Sequence, residues 1–113
     1  ALDHNEAVVT ALPSTDTILE IEEGNVISIP KREHLWHAQT PQGFQLGAIK
    51  NAYELLARVT DNDDFVPTDD CSVLLRFSPK SRLVVVHGSQ TNIKITYPFD
   101  LTLAETFIHS NML

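Results

Sequence analysis

The sequence predicts an α/β fold, because short apolar runs typical of buried strands occur on either side of a segment with helical periodicity. The apolar run at residues 7–12 and the valine-rich run at residues 82–87 predict two strands. Residues 46–59 predict an amphipathic helix, since apolar side chains recur there at helical spacing and form one stripe. That stripe consists of Leu46, Ile49, Ala52, Tyr53 and Leu56.

Three further elements are predicted in the C-terminal half. Thr68 is a candidate N-cap for a short helix over residues 69–77, whose first turn carries two aspartates that the helix dipole favours. Residues 93–97 are apolar enough to predict another strand. Asp100 is predicted to cap a final helix. The expected buried face of that helix is formed by Leu101, Ala104, Phe107 and Ile108.

A β-hairpin is predicted between the first strand and the first helix. Residues 15–21 and 25–29 contain alternating apolar side chains, and they flank a Glu-Glu-Gly sequence in which Gly24 supplies a positive φ. A two-stranded ribbon is only marginally stable in water by itself. We therefore expect the hairpin to pack on another surface, which is either its own domain or a second subunit.

Composition and charge exclude several classes of protein. A hydrophobic fraction of 42% is ordinary for a folded chain, and 113 residues allow one domain at most. The net charge of −7 argues against nucleic acid as a partner, because binding to a polyanion needs a basic face. A small phosphorylated substrate needs only a few local cations. Since no apolar run approaches about 18 residues, no membrane-spanning helix is expected.

No metal site is predicted from the sequence. Of the five histidines only His34 and His37 are close together, and zinc requires three or four ligands at defined spacings. The acidic residues 61–64 lack the glycine and the closing glutamate of a calcium loop, so they are interpreted as a solvated loop. Cys71 is the single cysteine, which excludes an internal disulfide and fits a reducing compartment. It is interpreted as structural.

The most informative segments carry cations and hydroxyl groups. Residues 32–44 read REHLWHAQTPQGF, residues 68–72 read TDDCS, and residues 92–96 read NIKIT. Together they supply an arginine, a lysine and several threonines. An arginine fork, a lysine point charge and hydroxyl donors are the groups that hold a phosphomonoester.

The order and spacing of these three segments resemble the C-terminal half of the 2-C-methyl-D-erythritol 4-phosphate cytidylyltransferases and of related ribitol-5-phosphate cytidylyltransferases. The resemblance runs from about residue 11 to about residue 107. It implies the C-terminal part of a Rossmann-like nucleotidyltransferase fold, from which a hairpin arm at about residues 14–32 protrudes to form a homodimer.

The resemblance also implies that residues 1–113 are the C-terminal part of one cytidylyltransferase domain. No glycine-rich phosphate loop occurs among the four glycines, and the only methionine is Met112. Residues 1–6 are interpreted as the tail of a helix that leads into the first strand. We therefore expect the N-terminal nucleotide-binding half to lie outside this sequence, and this chain alone to be inactive.

Five site residues follow from the resemblance. It implies that Arg32 and Lys94 position the substrate through its phosphate, with Arg32 reaching across the dimer. It further implies that Thr17, Thr40 and Thr68 bind the substrate. Each residue also has a purely structural interpretation, as an exposed surface cation or as a threonine of a strand, a turn or a helix cap.

The implied activity is transfer of CMP from CTP to a polyol phosphate with release of pyrophosphate, assisted by Mg²⁺ that the missing half binds. 2-C-Methyl-D-erythritol 4-phosphate, an isoprenoid precursor, is the favoured substrate because residues 35–42 (LWHAQTPQ) are most similar to that branch. Ribitol 5-phosphate is the alternative, and a non-catalytic dimerisation module is the competing class. The expected location is the cytoplasm, or an organelle if a transit peptide precedes this sequence.

Overall fold

The computed structural model describes residues 1–59 and 64–112, and it confirms the predicted α/β class. Three strands form one sheet in the order β4-β1-β5, and two further strands form an antiparallel hairpin. The elements are β1 (Ala7–Pro13), β2 (Glu20–Glu22), β3 (Asn25–Ser28), a 3-10 turn (Arg32–His34), β4 (Trp36–Phe44), α1 (Leu46–Leu56), α2 (Asp70–Phe77), β5 (Leu83–His87) and α3 (Pro98–His109).

The chain divides into two compact units. Unit 1 comprises Ala1–Thr10 and Thr40–Val86, and unit 2 comprises Ala11–Gln39 and His87–Leu113. The predicted solvated loop at residues 61–64 lies outside the described residues except for Asp64, which is exposed. None of the helices in the described ranges is long and apolar enough to cross a bilayer.

Unit 1 contains the hydrophobic core. Ala7 of β1, Ala52 of α1, and Val73 and Leu74 of α2 are fully buried, and α1 packs against α2. Partly buried apolar side chains surround this cluster: Phe44, Ala48, Ile49, Leu56, Phe65, Phe77 and Leu83. Because the strands and both helices contribute to one cluster, the alternation of strand and helix seen in the sequence is what builds the core.

The apolar stripe of α1 is narrower than predicted, and the helix is shorter. The helix ends at Leu56 rather than near residue 59, and residues 57 and 58 form a turn. Leu46 and Tyr53 are exposed, with 78% and 42% of their surface accessible. Leu46 is the first residue of the helix, and the Tyr53 hydroxyl donates to the Asp70 carboxylate at the edge of α2. Of the predicted stripe, Ile49, Ala52 and Leu56 therefore reach the core, whereas Leu46 and Tyr53 do not.

The N-cap of α2 is Asp69, not Thr68 as predicted. Asp69 has extended backbone angles, and its Oδ1 accepts from the Ser72 N–H at 2.8 Å. A carboxylate at this position satisfies an otherwise unpaired amide of the first turn and also suits the helix dipole. The N–H of Thr68 instead donates to Ser72 Oγ at 3.1 Å.

One strand was not predicted from the sequence, and one predicted strand was wrong. Strand β4 was not predicted, because Pro41 and Gly43 interrupt its sequence and such residues are depleted in strands. Residues 93–97 do not form the predicted strand. The Ile93 N–H bonds to Thr91 O at 3.0 Å, and the N–H groups of residues 96 and 97 both bond to Asp100 Oδ2 at 2.8 Å. These amides are therefore committed to local turn and cap bonds.

Helix α3 in unit 2 differs from the prediction at its start and on its face. It begins at Pro98, and Asp100 is its third residue rather than its cap. No residue of α3 is buried; Leu101 and Ile108 are exposed, while Ala104 and Phe107 are half-buried. Within the described part of unit 2 only Ala11 and Ser14 are buried, so this unit offers the helix little apolar cover of its own.

The hairpin forms with a shorter first strand than predicted. Strand β2 begins at Glu20 instead of residue 15, since Pro13 ends β1 and the intervening residues carry no ladder bonds. Glu23 and Gly24 have φ values of 49° and 80°, the positive pair typical of a tight hairpin turn. The pairing shifts between Glu20 and Ile21, which marks a bulge. At the N-terminus, residues 2–4 form a turn rather than the expected helix tail.

Candidate functional site

Arg32 lies at the base of the hairpin, where the chain leaves β3 and enters the 3-10 turn. Its Nη1 donates to the Thr15 carbonyl at 3.1 Å. The adjacent Ser14 N–H donates to the Leu35 carbonyl at 2.9 Å. These two bonds join the chain segments before and after the hairpin, so the guanidinium is held at a defined place although it is exposed.

A surface cavity of about 460 Å³ opens beside Arg32 in unit 2. Two adjacent cations, Lys31 and Arg32, line it together with Glu33, Pro13 and Ser14. The volume is in the range of small-molecule sites. Two neighbouring positive charges at an open cavity can bind the dianion of a phosphomonoester, and the guanidinium can do so with paired N–H groups.

Thr17 lies in the segment that leads into the hairpin, close in sequence to a residue that contacts Arg32. It is exposed and follows Thr15, the residue whose carbonyl accepts from Arg32, by two positions. The structure therefore places both predicted residues at the same end of the hairpin. Thr17 precedes β2 and belongs to no strand, which removes the alternative interpretation as an ordinary strand threonine.

Lys94 also belongs to unit 2 and is exposed. Within the described residues its ammonium group makes no hydrogen bond or ion pair, so its charge is available to a ligand. No bond joins it to Arg32 in the described part of one chain. Convergence of the two cations across a dimer interface stays a prediction.

Thr40 and Thr68, the remaining predicted residues, belong to unit 1. Thr40 is exposed in β4, directly before a cis peptide bond to Pro41. Thr68 is exposed one position before the N-cap of α2, and its N–H bond to Ser72 Oγ fixes its backbone. Thr68 is thus adjacent in sequence to the N-terminus of α2, and its role in binding the substrate stays a prediction.

A second cavity of unit 2, of about 620 Å³, is lined by both polar and apolar side chains. It is bordered by Leu12, Pro13, Thr15, His37, Gln39, His87 and Gln90. His87 also makes an edge contact with Trp36, at 5.8 Å between ring centroids. Imidazole, amide and hydroxyl groups can donate to and accept from hydroxyl groups of a small polar molecule.

Cys71 has the properties of a structural residue rather than a nucleophile. Burial, followed by the nearby carboxylates of Asp69 and Asp70, raises the pKa of its thiol to about 11. The thiolate is therefore scarce at neutral pH. Among the described residues, no group of three or more His, Cys, Asp or Glu side chains is placed to hold a metal ion.

Two residues of the candidate site, Lys31 and Gln39, are not among those predicted from the sequence. Lys31 stands directly before Arg32, and the pair of adjacent cations was the available signal. Gln39 donates from Nε2 to Ser89 O at 2.9 Å and to Asn92 O at 3.0 Å. These contacts span about 50 positions of sequence, so no local pattern could have indicated them.

Comparison with known proteins places this chain in a family. The family model described as IspD, 2-C-methyl-D-erythritol 4-phosphate cytidylyltransferase, matches residues 1–110. The enzyme of that name from Thermobifida fusca is 40% identical over 111 residues, which cover 94% of this chain and 43% of the relative. A bifunctional ribulose 5-phosphate reductase/CDP-ribitol pyrophosphorylase from Haemophilus influenzae is also 40% identical, over 96% of this chain and 23% of its own length. The chain spans less than half the length of these relatives.

Solved structures confirm the expected nucleotidyltransferase fold. The crystal structure of 4-diphosphocytidyl-2C-methyl-D-erythritol synthase from Anaerococcus prevotii matches with a TM-score of 0.82 and 34% identity, over 96% of this chain and 48% of that one. The cytidylyltransferase from Thermus thermophilus matches with a TM-score of 0.74 and 29% identity, over 95% and 50%. The chain belongs to the 2-C-methyl-D-erythritol 4-phosphate cytidylyltransferase family.

Proposed function

We propose that this chain is the substrate-phosphate-binding part of a cytidylyltransferase that transfers CMP from CTP to 2-C-methyl-D-erythritol 4-phosphate. The observation that carries the proposal is the match of the family model to residues 1–110. In the reaction an oxygen of the substrate phosphate attacks the α-phosphorus of CTP. A new phosphorus–oxygen bond forms, the bond to the β-phosphate breaks, and pyrophosphate leaves.

Arg32 and Lys94 hold the attacking phosphate in this proposal. Attack by one anion on another is slow unless positive charge lies nearby, so positioning and electrostatic stabilisation are the main contributions expected of the protein. Arg32 is supported by its bond to Thr15 and by the cavity that it lines with Lys31. Lys94 is supported by an exposed ammonium group without a partner in the described residues.

The threonines Thr17, Thr40 and Thr68 supply hydroxyl groups to the same substrate in this proposal. All three side chains are exposed. A hydroxyl group can both donate and accept, which suits a molecule that carries phosphate oxygens and several alcohol groups. Their contribution is orientation rather than charge, so loss of any one of them is expected to be milder than loss of Arg32 or Lys94.

The Mg²⁺ expected for this reaction finds no fitting ligand set in the described residues. We propose that residues of the nucleotide-binding half hold it together with CTP. The contribution of this chain is made by its own cations and hydroxyl groups.

The hairpin is proposed to be the arm of a homodimer. Ile21 and Val26 face each other across the ribbon, and each has 53% of its surface exposed. Leu19, Ile27 and Ile29 add further exposed apolar surface on the same element. Such an apolar ribbon gains stability when a second subunit covers it.

The proposed location is the cytoplasm. A reducing cytoplasm fits the single free cysteine, Cys71.

Ribitol 5-phosphate is the second candidate substrate. The observation that favours it is the Haemophilus influenzae relative, which is as similar to this chain as the cytidylyltransferases are and is named for CDP-ribitol synthesis. Both substrates present a phosphomonoester and a polyol chain, so the same cations serve either of them.

The test is steady-state kinetics of the complete protein with CTP and each polyol phosphate. Arg32→Ala and Lys94→Ala should each lower kcat/KM for the polyol phosphate roughly 30- to 150-fold, since charge-assisted hydrogen bonds contribute about 2–3 kcal/mol. Arg32→Lys should also be impaired, because the planar fork is lost although the charge is kept.

A matched control is Lys50→Ala, which removes an exposed lysine of unit 1 whose partner among the described residues is Glu54, at 4.0 Å. It should have wild-type kinetics. Wild-type kinetics in the Arg32 and Lys94 variants would instead identify both residues as ordinary surface cations. An inactive wild-type protein that remains dimeric would favour a dimerisation module.

A further inference from the structure

We infer that Gln39 is a positioning residue for Lys94. Its side-chain amide fixes the loop at residues 88–92, from which the segment that carries Lys94 departs. The inference rests on the proposed role of Lys94 at the substrate phosphate. All of the residues involved belong to unit 2.

The amide of Gln39 makes three hydrogen bonds to the backbone of this loop. Nε2 donates to Ser89 O at 2.9 Å, and Oε1 accepts from the Ser89 N–H at 3.3 Å. Both backbone groups of Ser89 therefore bond to one amide, as they would to the backbone of a neighbouring β-strand, and this pairing lies beyond the end of β5. The second N–H of Nε2 donates to Asn92 O at 3.0 Å. Gln39 therefore holds both ends of the four-residue turn.

The loop is further closed by its own bonds. The Asn92 N–H donates to Ser89 O at 3.1 Å, the Thr91 N–H donates to Ser89 Oγ at 3.2 Å, and the two hydroxyls of these residues lie 2.9 Å apart. At its start the Gly88 N–H donates to Ala11 O at 2.8 Å, which ties the loop to β1. These bonds close the turn, and the bonds of Gln39 connect it to strand β4.

The three hydrogen bonds from Gln39 to this loop form a clamp. Lys94 depends on this clamp because the segment that carries Lys94 pairs with no β-strand. Residues 92–96 are in neither helix nor strand. The segment is anchored downstream, where the N–H groups of Thr96 and Tyr97 bond to Asp100 Oδ2. Upstream it is anchored by Gln39 through Asn92. Lys94 lies two positions after Asn92, so the direction of its backbone follows from the upstream anchor.

The chemistry of the clamp requires a neutral amide at position 39. Gln39→Leu removes all three bonds while keeping a similar volume. Gln39→Glu keeps the length but replaces Nε2, and with it both N–H donors, by a carboxylate oxygen that faces the carbonyls of Ser89 and Asn92. Both variants should lower kcat/KM for the polyol phosphate roughly 10-fold and leave KM for CTP unchanged.

A double-mutant cycle in the complete protein separates positioning from a general effect on the fold. If Gln39 acts through Lys94, the variant with both Gln39→Leu and Lys94→Ala should have the kcat/KM of Lys94→Ala alone. An additional 10-fold loss in the double variant would overturn the inference. The Glu variant provides the same cycle if Gln39→Leu fails to fold.

The control is Gln45→Leu, which likewise removes a glutamine bond to a backbone carbonyl, that of Leu2 at 3.1 Å. It should have wild-type kinetics. If Lys94→Ala lowers kcat/KM for the polyol phosphate while both Gln39 variants have the kcat/KM of the wild type, the inference is overturned and the proposed function stands. Wild-type kinetics in Lys94→Ala would contradict the role proposed for Lys94, on which the inference depends.

Discussion

Asp69 and Ser72 cap helix α2 reciprocally. The Ser72 N–H donates to Asp69 Oδ1 at 2.8 Å, and Ser72 Oγ accepts from the Asp69 N–H at 3.3 Å. Gln42 also donates from Nε2 to Asp69 Oδ2 at 3.0 Å, which ties β4 to the start of the helix. Because Thr68 bonds to the same Ser72 hydroxyl, this box orients the backbone of a proposed substrate-binding residue.

The first prediction follows from that box. Asp69→Ala should lower the free energy of unfolding by about 1–2 kcal/mol, because the cap and its bond to Gln42 are both lost. Asp69→Asn keeps an oxygen that can accept from Ser72, so its loss should be clearly smaller. Urea denaturation of the complete protein measures both. Equal stability of the Ala variant and the wild type would show that the cap contributes nothing.

The second prediction concerns the thiol of Cys71. It is buried, and its pKa is raised to about 11 by burial and then by Asp69 and Asp70. Iodoacetamide should therefore modify it very slowly at pH 7.5 in the native protein and readily in 6 M urea, where the thiol has its ordinary pKa of about 8.5. Mass spectrometry measures the modified fraction. Rapid alkylation of the native protein would contradict the burial seen here.

Periodicity predicted the elements of unit 1 well because their pattern and their packing coincide. Residues 7–12 and 82–87 are apolar runs that became β1 and β5, and Ala52 at the centre of the helical stripe is fully buried. The strand predicted in unit 2 was wrong for a physical reason. Residues 93–97 have strand-like composition, but their amides bond to turn and cap groups, which a propensity argument does not detect.

The candidate site could be predicted only in part. The resemblance singled out Arg32 and Lys94, and both are exposed cations of unit 2. It gave no indication of what orients them. The Thr15 carbonyl that holds Arg32 is 17 positions away, and the loop that Gln39 clamps is about 50 positions away. Contacts at such separations depend on tertiary structure, whereas residue type and spacing describe only the neighbourhood of each residue.

The third prediction concerns the turn of the hairpin. Gly24 has a φ of 80°, and a Cβ built there would meet no atom within 4 Å. Gly24→Ala should therefore destabilise the hairpin through backbone strain alone, by about 1 kcal/mol. Gly47→Ala is the matched control, since a Cβ there also meets nothing within 4 Å but the residue is helical.

The loss of stability expected for Gly24→Ala should be absent in Gly47→Ala. Alanine is the better helix former, so Gly47→Ala should be neutral or slightly stabilising, by up to about 0.5 kcal/mol. Thermal denaturation of the complete protein measures both changes. A Gly24→Ala variant as stable as the wild type would show that the turn relaxes without cost.

The last prediction concerns Asp100 and acid pH. Its carboxylate accepts from the N–H groups of Tyr97 and Thr96, each at 2.8 Å. The bond from Tyr97, and to a smaller extent the bond from Thr96, lowers the pKa of this carboxyl below its ordinary value. A carboxylate whose pKa is lower in the folded state stabilises the fold above its unfolded pKa of about 3.9. That contribution should disappear as the pH falls through the folded pKa.

Asp100→Asn isolates this effect, because the amide oxygen still accepts from the two N–H groups but carries no charge. The wild type should exceed the variant in stability at pH 7, and the difference should shrink steadily below about pH 4. Urea denaturation at several pH values measures the difference, and the carbon-13 shift of the Asp100 carboxyl gives its pKa directly. A stability difference that is constant from pH 7 to pH 3, together with an ordinary carboxyl midpoint, would show that the carboxylate does not anchor residues 96 and 97.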